Sequence, residues 1–131
     1  MKKLVLLFAI ALGISIPAAA QTCTPSAGPA NQHWTSLCWT ASTTTGGGIT
    51  YSVYRATGTC ASNPVLTKLT TTALAVLNFL DVTVTAGTSY CYAVTASQGG
   101  LESGFSPTTG GTIPLTFPPS PPSTGPSILV Q

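Results

Sequence analysis

The sequence predicts an all-β chain folded as a two-sheet sandwich, and three observations carry that reading. The stretch Val82 to Ala96, VTVTAGTSYCYAVTA, places a turn at Ala86-Gly87 before a strand in which Tyr90, Tyr92, Val94 and Ala96 share one face. Such strict alternation marks a half-buried strand, and a tyrosine at its start suits a sandwich corner, where the buried ring's hydroxyl can bond to upstream backbone. From Gln32 to Thr112 the chain reads as short β-rich segments separated by Gly, Ser, Asn and Thr clusters, with no sustained helical periodicity. Finally, seven such segments at this spacing fit the length of one sandwich domain.

Strands are predicted at Cys23 to Ala27, His33 to Thr40, Ile49 to Ala56, Leu66 to Thr70, Ala75 to Leu80, Thr88 to Ala96 and Ser106 to Ile113. Residues two apart point to the same face of a strand, so parity selects the core. Leu37 and Trp39 face inward from the second segment, Tyr51 and Val53 from the third, and Leu77 and Phe79 from the fifth. Val84 covers the corner beneath Tyr90. Each such side chain contributes about 1.5 to 3 kcal/mol on burial, so a domain this size must use nearly all of them.

The two ends differ from this core. Met1-Lys2-Lys3, the apolar run Leu4 to Ile16 and the small residues Ala18-Ala19-Ala20 have the three regions of a secretory signal peptide, spanning residues 1–20 with cleavage before Gln21. The apolar run is too short for a membrane anchor, and Ala20-Gln21-Thr22 before Cys23 lacks the small-residue approach of a lipoprotein signal. The sandwich is assigned to residues 21–114. Beyond it, residues 115–131 carry Pro118, Pro119, Pro121, Pro122 and Pro126 and read as a proline-rich flexible tail or spacer.

Without the signal, Arg55 and Lys68 balance Asp81 and Glu102, so the mature chain is formally neutral. Two cations cannot build a phosphate-binding footprint or a polybasic lipid patch, so nucleic acid and membrane insertion are not expected. The expected location is secreted, periplasmic or on the cell surface.

Cys23, Cys38, Cys60 and Cys91 form an even set in an exported chain, which predicts disulfides. A turn near Ala30-Asn31 would set Cys23 opposite Cys38. Cys38 beside inward Trp39, and Cys91 between inward Tyr90 and Tyr92, both point away from the core on different sheets. A bridge between those two would exceed the separation a disulfide permits. Cys60 lies on the connection that can fold over Cys91, so the predicted pairs are Cys23 with Cys38 and Cys60 with Cys91. No CxxC pair suggests zinc or thiol catalysis, and no cofactor is expected.

Together, LCWTAS with Trp39, ITYSVYR with Tyr51 and Val53, VTAGTSYCYAVTA with Tyr90, and GLESGFSP from Gly100 to Pro107 resemble the fibronectin type III family, the last of them in its bacterial versions. This resemblance covers Pro29 to Pro114 and implies a seven-stranded immunoglobulin-like β-sandwich serving as a binding, spacing or adhesive module. Immunoglobulin domains proper fit less well, since their core tryptophan lies on the third strand and their bridge crosses the core. No Arg-Gly-Asp tripeptide is present, so integrin-type adhesion is not implied.

Proton-moving groups are scarce in the mature chain: His33, Asp81 and Glu102. His33 opens a strand, Asp81 is expected to fix a turn, and Glu102 lies in the loop before the last strand, so no catalytic set is expected and the chain is read as a non-enzyme. Trp34 and Tyr54 have outward parity and are the candidate ligand contacts, to a protein or a sugar face. The loop Ser97 to Ser103, with two glycines and small side chains, reads as flexible rather than anchoring. The expected function is a non-catalytic interaction or surface-association module for an extracellular protein, with a carbohydrate-binding module using exposed aromatics as the alternative.

Overall fold

Alternation of apolar and polar residues drives the architecture, seen in a computed structural model whose described residues are 23–117. The predicted signal peptide and most of the proline-rich tail lie outside them. Strands β1 (Thr35–Cys38) and β4 (Asn78–Asp81) form a small antiparallel sheet. A five-stranded sheet is built from β3 (Thr67–Lys68), β2 (Thr50–Thr57), β5 (Ser89–Gln98), β6 (Leu101–Glu102) and β7 (Thr109–Thr112). Its spine is the eight-residue register of β2 on β5, from Thr50↔Ser97 to Thr57↔Tyr90, and both β6 and β7 pair with the other edge of β5. The result is a two-sheet β-sandwich.

Its core follows the parity reading. Leu37, Val53, Val84, Tyr90, Tyr92 and Ile113 are buried together, with Trp39, Phe79 and Val94 packed against them. Tyr51 and Leu77 are buried as well. At the corner, Gly87 supplies the left-handed conformation of the turn (φ 72°), and the Thr85 backbone N–H donates to the Tyr90 hydroxyl at 3.1 Å.

Two sequence expectations are corrected. The segment Cys23 to Ala27 forms no strand, because Pro25 withholds a donor and the chain crosses the outer face of the small sheet instead of lying along its edge. Its Ser26 N–H donates to the Ser36 hydroxyl, the Asn78 amide donates to the Thr24 carbonyl, and Gly28 lies against the Trp34 ring. The second correction concerns Ser97 to Ser103, which is an ordered hairpin: Gly99 (φ 58°) and Gly100 (φ 84°) make the turn that pairs Gln98 with Leu101 and Ser97 with Glu102. The last predicted strand, Ser106 to Ile113, is realised as the shorter β7, and the predicted loop ahead of it supplies β6. Between them, the hydroxyls of Ser103 and Ser106 accept from the Ala96 and Val94 N–H groups, substituting for ladder carbonyls.

A buried polar cluster ties the sheets together. Asp81 on β4 accepts from Arg55 on β2 at 2.7 Å and from the Tyr92 hydroxyl on β5 at 2.9 Å, while its other oxygen accepts from the Thr83 N–H and hydroxyl. Burial pushes the Asp81 pKa up, but the bonds from Thr83, Arg55 and Tyr92 outweigh it and hold the group below the usual carboxylate value. Burial, reinforced by the Asp81 carboxylate, pushes the Tyr92 hydroxyl up to about 12. Asp81 thus fixes its turn, as its strand-end position suggests, and also spans the sandwich.

Candidate functional site

Both disulfides join the predicted partners: Cys23 with Cys38 at a Cα separation of 5.7 Å and Cys60 with Cys91 at 5.0 Å. Cys91 points away from the core yet is 0% exposed, so the surface it occupies is covered. A short 3-10 turn, Cys60–Ser62, lies over it, and Asn63 ends that turn in a left-handed conformation.

Farther along the same outer face, Tyr54 on β2 donates from its hydroxyl to Glu102 on β6 at 2.7 Å, and the Thr95 hydroxyl of β5 donates to the same oxygen at 2.6 Å. Lys68 on β3 lies 3.7 Å from that carboxylate and 5.6 Å from the Tyr54 ring centroid. Hydrogen bonds from Thr95 and Tyr54 hold Glu102 below its ordinary pKa, and the bond to Glu102 raises that of Tyr54. The three neighbouring strands and the hairpin therefore lock one another. Beneath this roof Ser52, Ala93 and Thr95 are buried, although their parity points them outward.

Apolar groups rim the cluster. The Phe105 ring meets Tyr54 edge-on at 4.9 Å and is 54% exposed; Val65 is 89% exposed. A shallow groove of about 470 Å³ runs from the Cys60–Cys91 bridge past Pro64, Val65 and Leu66 to Phe105. Charged heads beside a fixed aromatic pair and exposed apolar side chains make a face suited to desolvation by a partner.

The structure separates the two outward aromatics. Tyr54 belongs to this face, whereas Trp34 lies before β1 on the outer face of the small sheet, half-buried against Gly28. They do not form a common platform. Phe105 and Val65 are the surface residues that parity missed, because both lie outside the predicted strands; the lone phenylalanine in GLESGFSP was the available signal.

Nor do the scarce acid and base groups converge. His33 stacks on Phe117 with centroids 4.2 Å apart, Asp81 is inside the sandwich, and Glu102 is on the outer face. Among the described residues no group of three or more His, Cys, Asp or Glu side chains is placed to hold a metal, and no helix is long and apolar enough to cross a membrane. Fold and surface together define a small, disulfide-bonded all-β domain with an exposed aromatic and apolar face. No protein-family model matches the chain, and no curated protein matches it.

Proposed function

We propose that this chain is an exported, non-catalytic domain of the fibronectin type III kind, acting as a protein-interaction or surface-association module. The observation that carries the reading is the outer face of the five-stranded sheet, where Phe105 and Val65 are exposed around the fixed Tyr54–Glu102–Lys68 cluster. Rigid aromatic anchors lose little side-chain freedom on binding, and such groups dominate protein contacts. Support for the family assignment comes from Trp39, packed on the core directly after β1, the inward Tyr51 and Val53 on β2, and the corner bond to Tyr90. Two disulfides and the signal-like residues 1–20 support export.

The test is binding of the purified protein to washed cell envelopes and secreted proteins of the producing organism. Saturable retention weakened about tenfold by Phe105→Ser combined with Val65→Ser, a loss of about 1.4 kcal/mol, is the expected result. Unchanged retention in that variant, or saturable sugar binding on a glycan array that is lost in Trp34→Ala or Tyr54→Ala, would overturn it.

A further inference from the structure

Among the described residues, the side of the sandwich where β1 and β7 are the edge strands is open between them, and is closed at one end where Phe117, after β7, stacks on His33, before β1. In the β5–β7 ladder, the Ile113 N–H donates to the Thr88 carbonyl, which fixes Ile113, Gly111 and Thr109 as the residues whose backbone groups face β5. The N–H and C=O groups of Gly110 and Thr112 therefore point to the open edge, where none has a backbone partner among the described residues. All four residues of β7 are exposed. The crossing of residues 23–28 over the outer face of the small sheet, held by the Cys23–Cys38 bridge and the Ser26–Ser36 bond, leaves this side uncovered by that segment.

Between the edges lies a cavity of about 430 Å³ with Leu37, Tyr92 and Ile113 at its floor. It adjoins a second of about 290 Å³ that reaches Trp39, whose ring N–H is the buried side-chain polar atom without a partner among the described residues. Gly111 widens the opening: its parity is that of Tyr90, and a Cβ added there would meet nothing within 4 Å.

We propose that the open edge of β7 takes up one extended, uncharged strand from another protein, which extends the five-stranded sheet and lays alternate apolar side chains over Leu37, Tyr92 and Ile113. Unpaired N–H and C=O groups in a row are satisfied by backbone in the same conformation, so the occupant is an extended polypeptide. The period of two in a strand, set against an apolar floor, requires apolar residues at alternate positions. No charged side chain lines either cavity, so a charged strand would lose hydration there without a counter-charge. The site is separate from the Tyr54–Phe105 face, and each stands or falls independently.

Amide hydrogen exchange on the intact protein tests this, with an end-blocked peptide alternating valine with threonine as the probe. In the free protein the Gly110 and Thr112 amides are expected to exchange rapidly. Saturating peptide slows them about tenfold or more, while the same peptide carrying lysine for valine or N-methylated at alternate amides does not. Gly111→Leu, which fills the opening, and Thr112→Pro, which removes an edge donor and the Thr112–Ser89 hydroxyl contact but no backbone bond to β5, each weaken peptide binding about tenfold. Two variants acting through different atoms, each checked for an unchanged melting temperature, separate blocked binding from misfolding.

Slow exchange of Gly110 and Thr112 in the free monomer would overturn the proposal, since the chain itself would fill the edge. So would a dimer by sedimentation that disappears in Gly111→Leu, which assigns the edge to a second copy. Protection by the peptide confined to Ser36 and Cys38 would move strand addition to β1, and no protection at any of the four amides would remove it altogether.

Discussion

Gly110 and Gly111 are neighbours on β7, yet one faces a closed surface and the other an open one. A Cβ on Gly110 would run into the Tyr90 carbonyl and lie 3.1 Å from the Cys60 sulfur, whereas one on Gly111 would meet nothing within 4 Å. The closed side is the outer face of the large sheet, stapled by Cys60–Cys91 and roofed by Tyr54, Glu102 and Lys68. The open side is the gap between the two edge strands. Closure in this molecule thus comes from a covalent bridge and a few polar contacts placed over one face, and among the described residues the same sheet lacks any such cover a residue away.

The strongest way to break this contrast is to add side chains at the two glycines. Gly110→Val is expected to destabilise by about 3 kcal/mol or more, since backbone and a disulfide must move, while Gly111→Ala stays within about 0.5 kcal/mol of the parent in urea unfolding. Equal losses at both positions would erase the distinction.

Removing the staple comes next. Cys60→Ala with Cys91→Ala opens a loop of 31 residues and is expected to cost about 3 to 4 kcal/mol; Cys23→Ala with Cys38→Ala opens one of 15 and costs about 3. Graded reductant sharpens the comparison, because Cys38 is exposed and Cys91 wholly buried. Alkylation followed by mass measurement should find Cys23–Cys38 opening first, and the reverse order would contradict the covered face.

The smallest effect is the response to pH. The Tyr92 hydroxyl is pushed up to about 12 in the folded chain, against about 10 when exposed, so its contribution is complete below about pH 10 and is lost as pH rises through the folded value. A decline of about 2 kcal/mol across that window, absent in Tyr92→Phe, is expected from unfolding midpoints. Asp81 acts in the opposite sense: its lowered pKa gives stability present above the ordinary carboxylate value and lost as pH falls through the folded one. The open side has no acid or base near neutrality in its lining, so strand uptake there should not change between mildly acid and neutral pH.

Much of the scaffold was legible because its signals are local. Alternation at Tyr51 and Val53, and at Tyr90, Tyr92 and Val94, depends only on pleat geometry, so strand placement and inward parity followed directly. Cysteine parity worked for the same reason. The surface was harder to read. Phe105 is exposed in the connection from β6 to β7, whose flanking Ser103 and Ser106 are both held on β5, and Glu102 is anchored only because a tight glycine turn returns it over Tyr54 and Thr95. Neither event has a periodic signature.

By itself, then, the sequence determined an all-β sandwich, its inward residues and its cysteine pairs, since each rests on alternation or on separation along the chain. Tertiary structure alone decided that Asp81 bridges the sheets with Arg55 and Tyr92, that Trp34 and Tyr54 lie on different faces, and that Cys23 to Ala27 crosses a sheet instead of edging it. Those outcomes depend on which segments meet across the sandwich. That choice is set by competition among backbone donors and acceptors from distant parts of the chain, and a local pattern does not encode it.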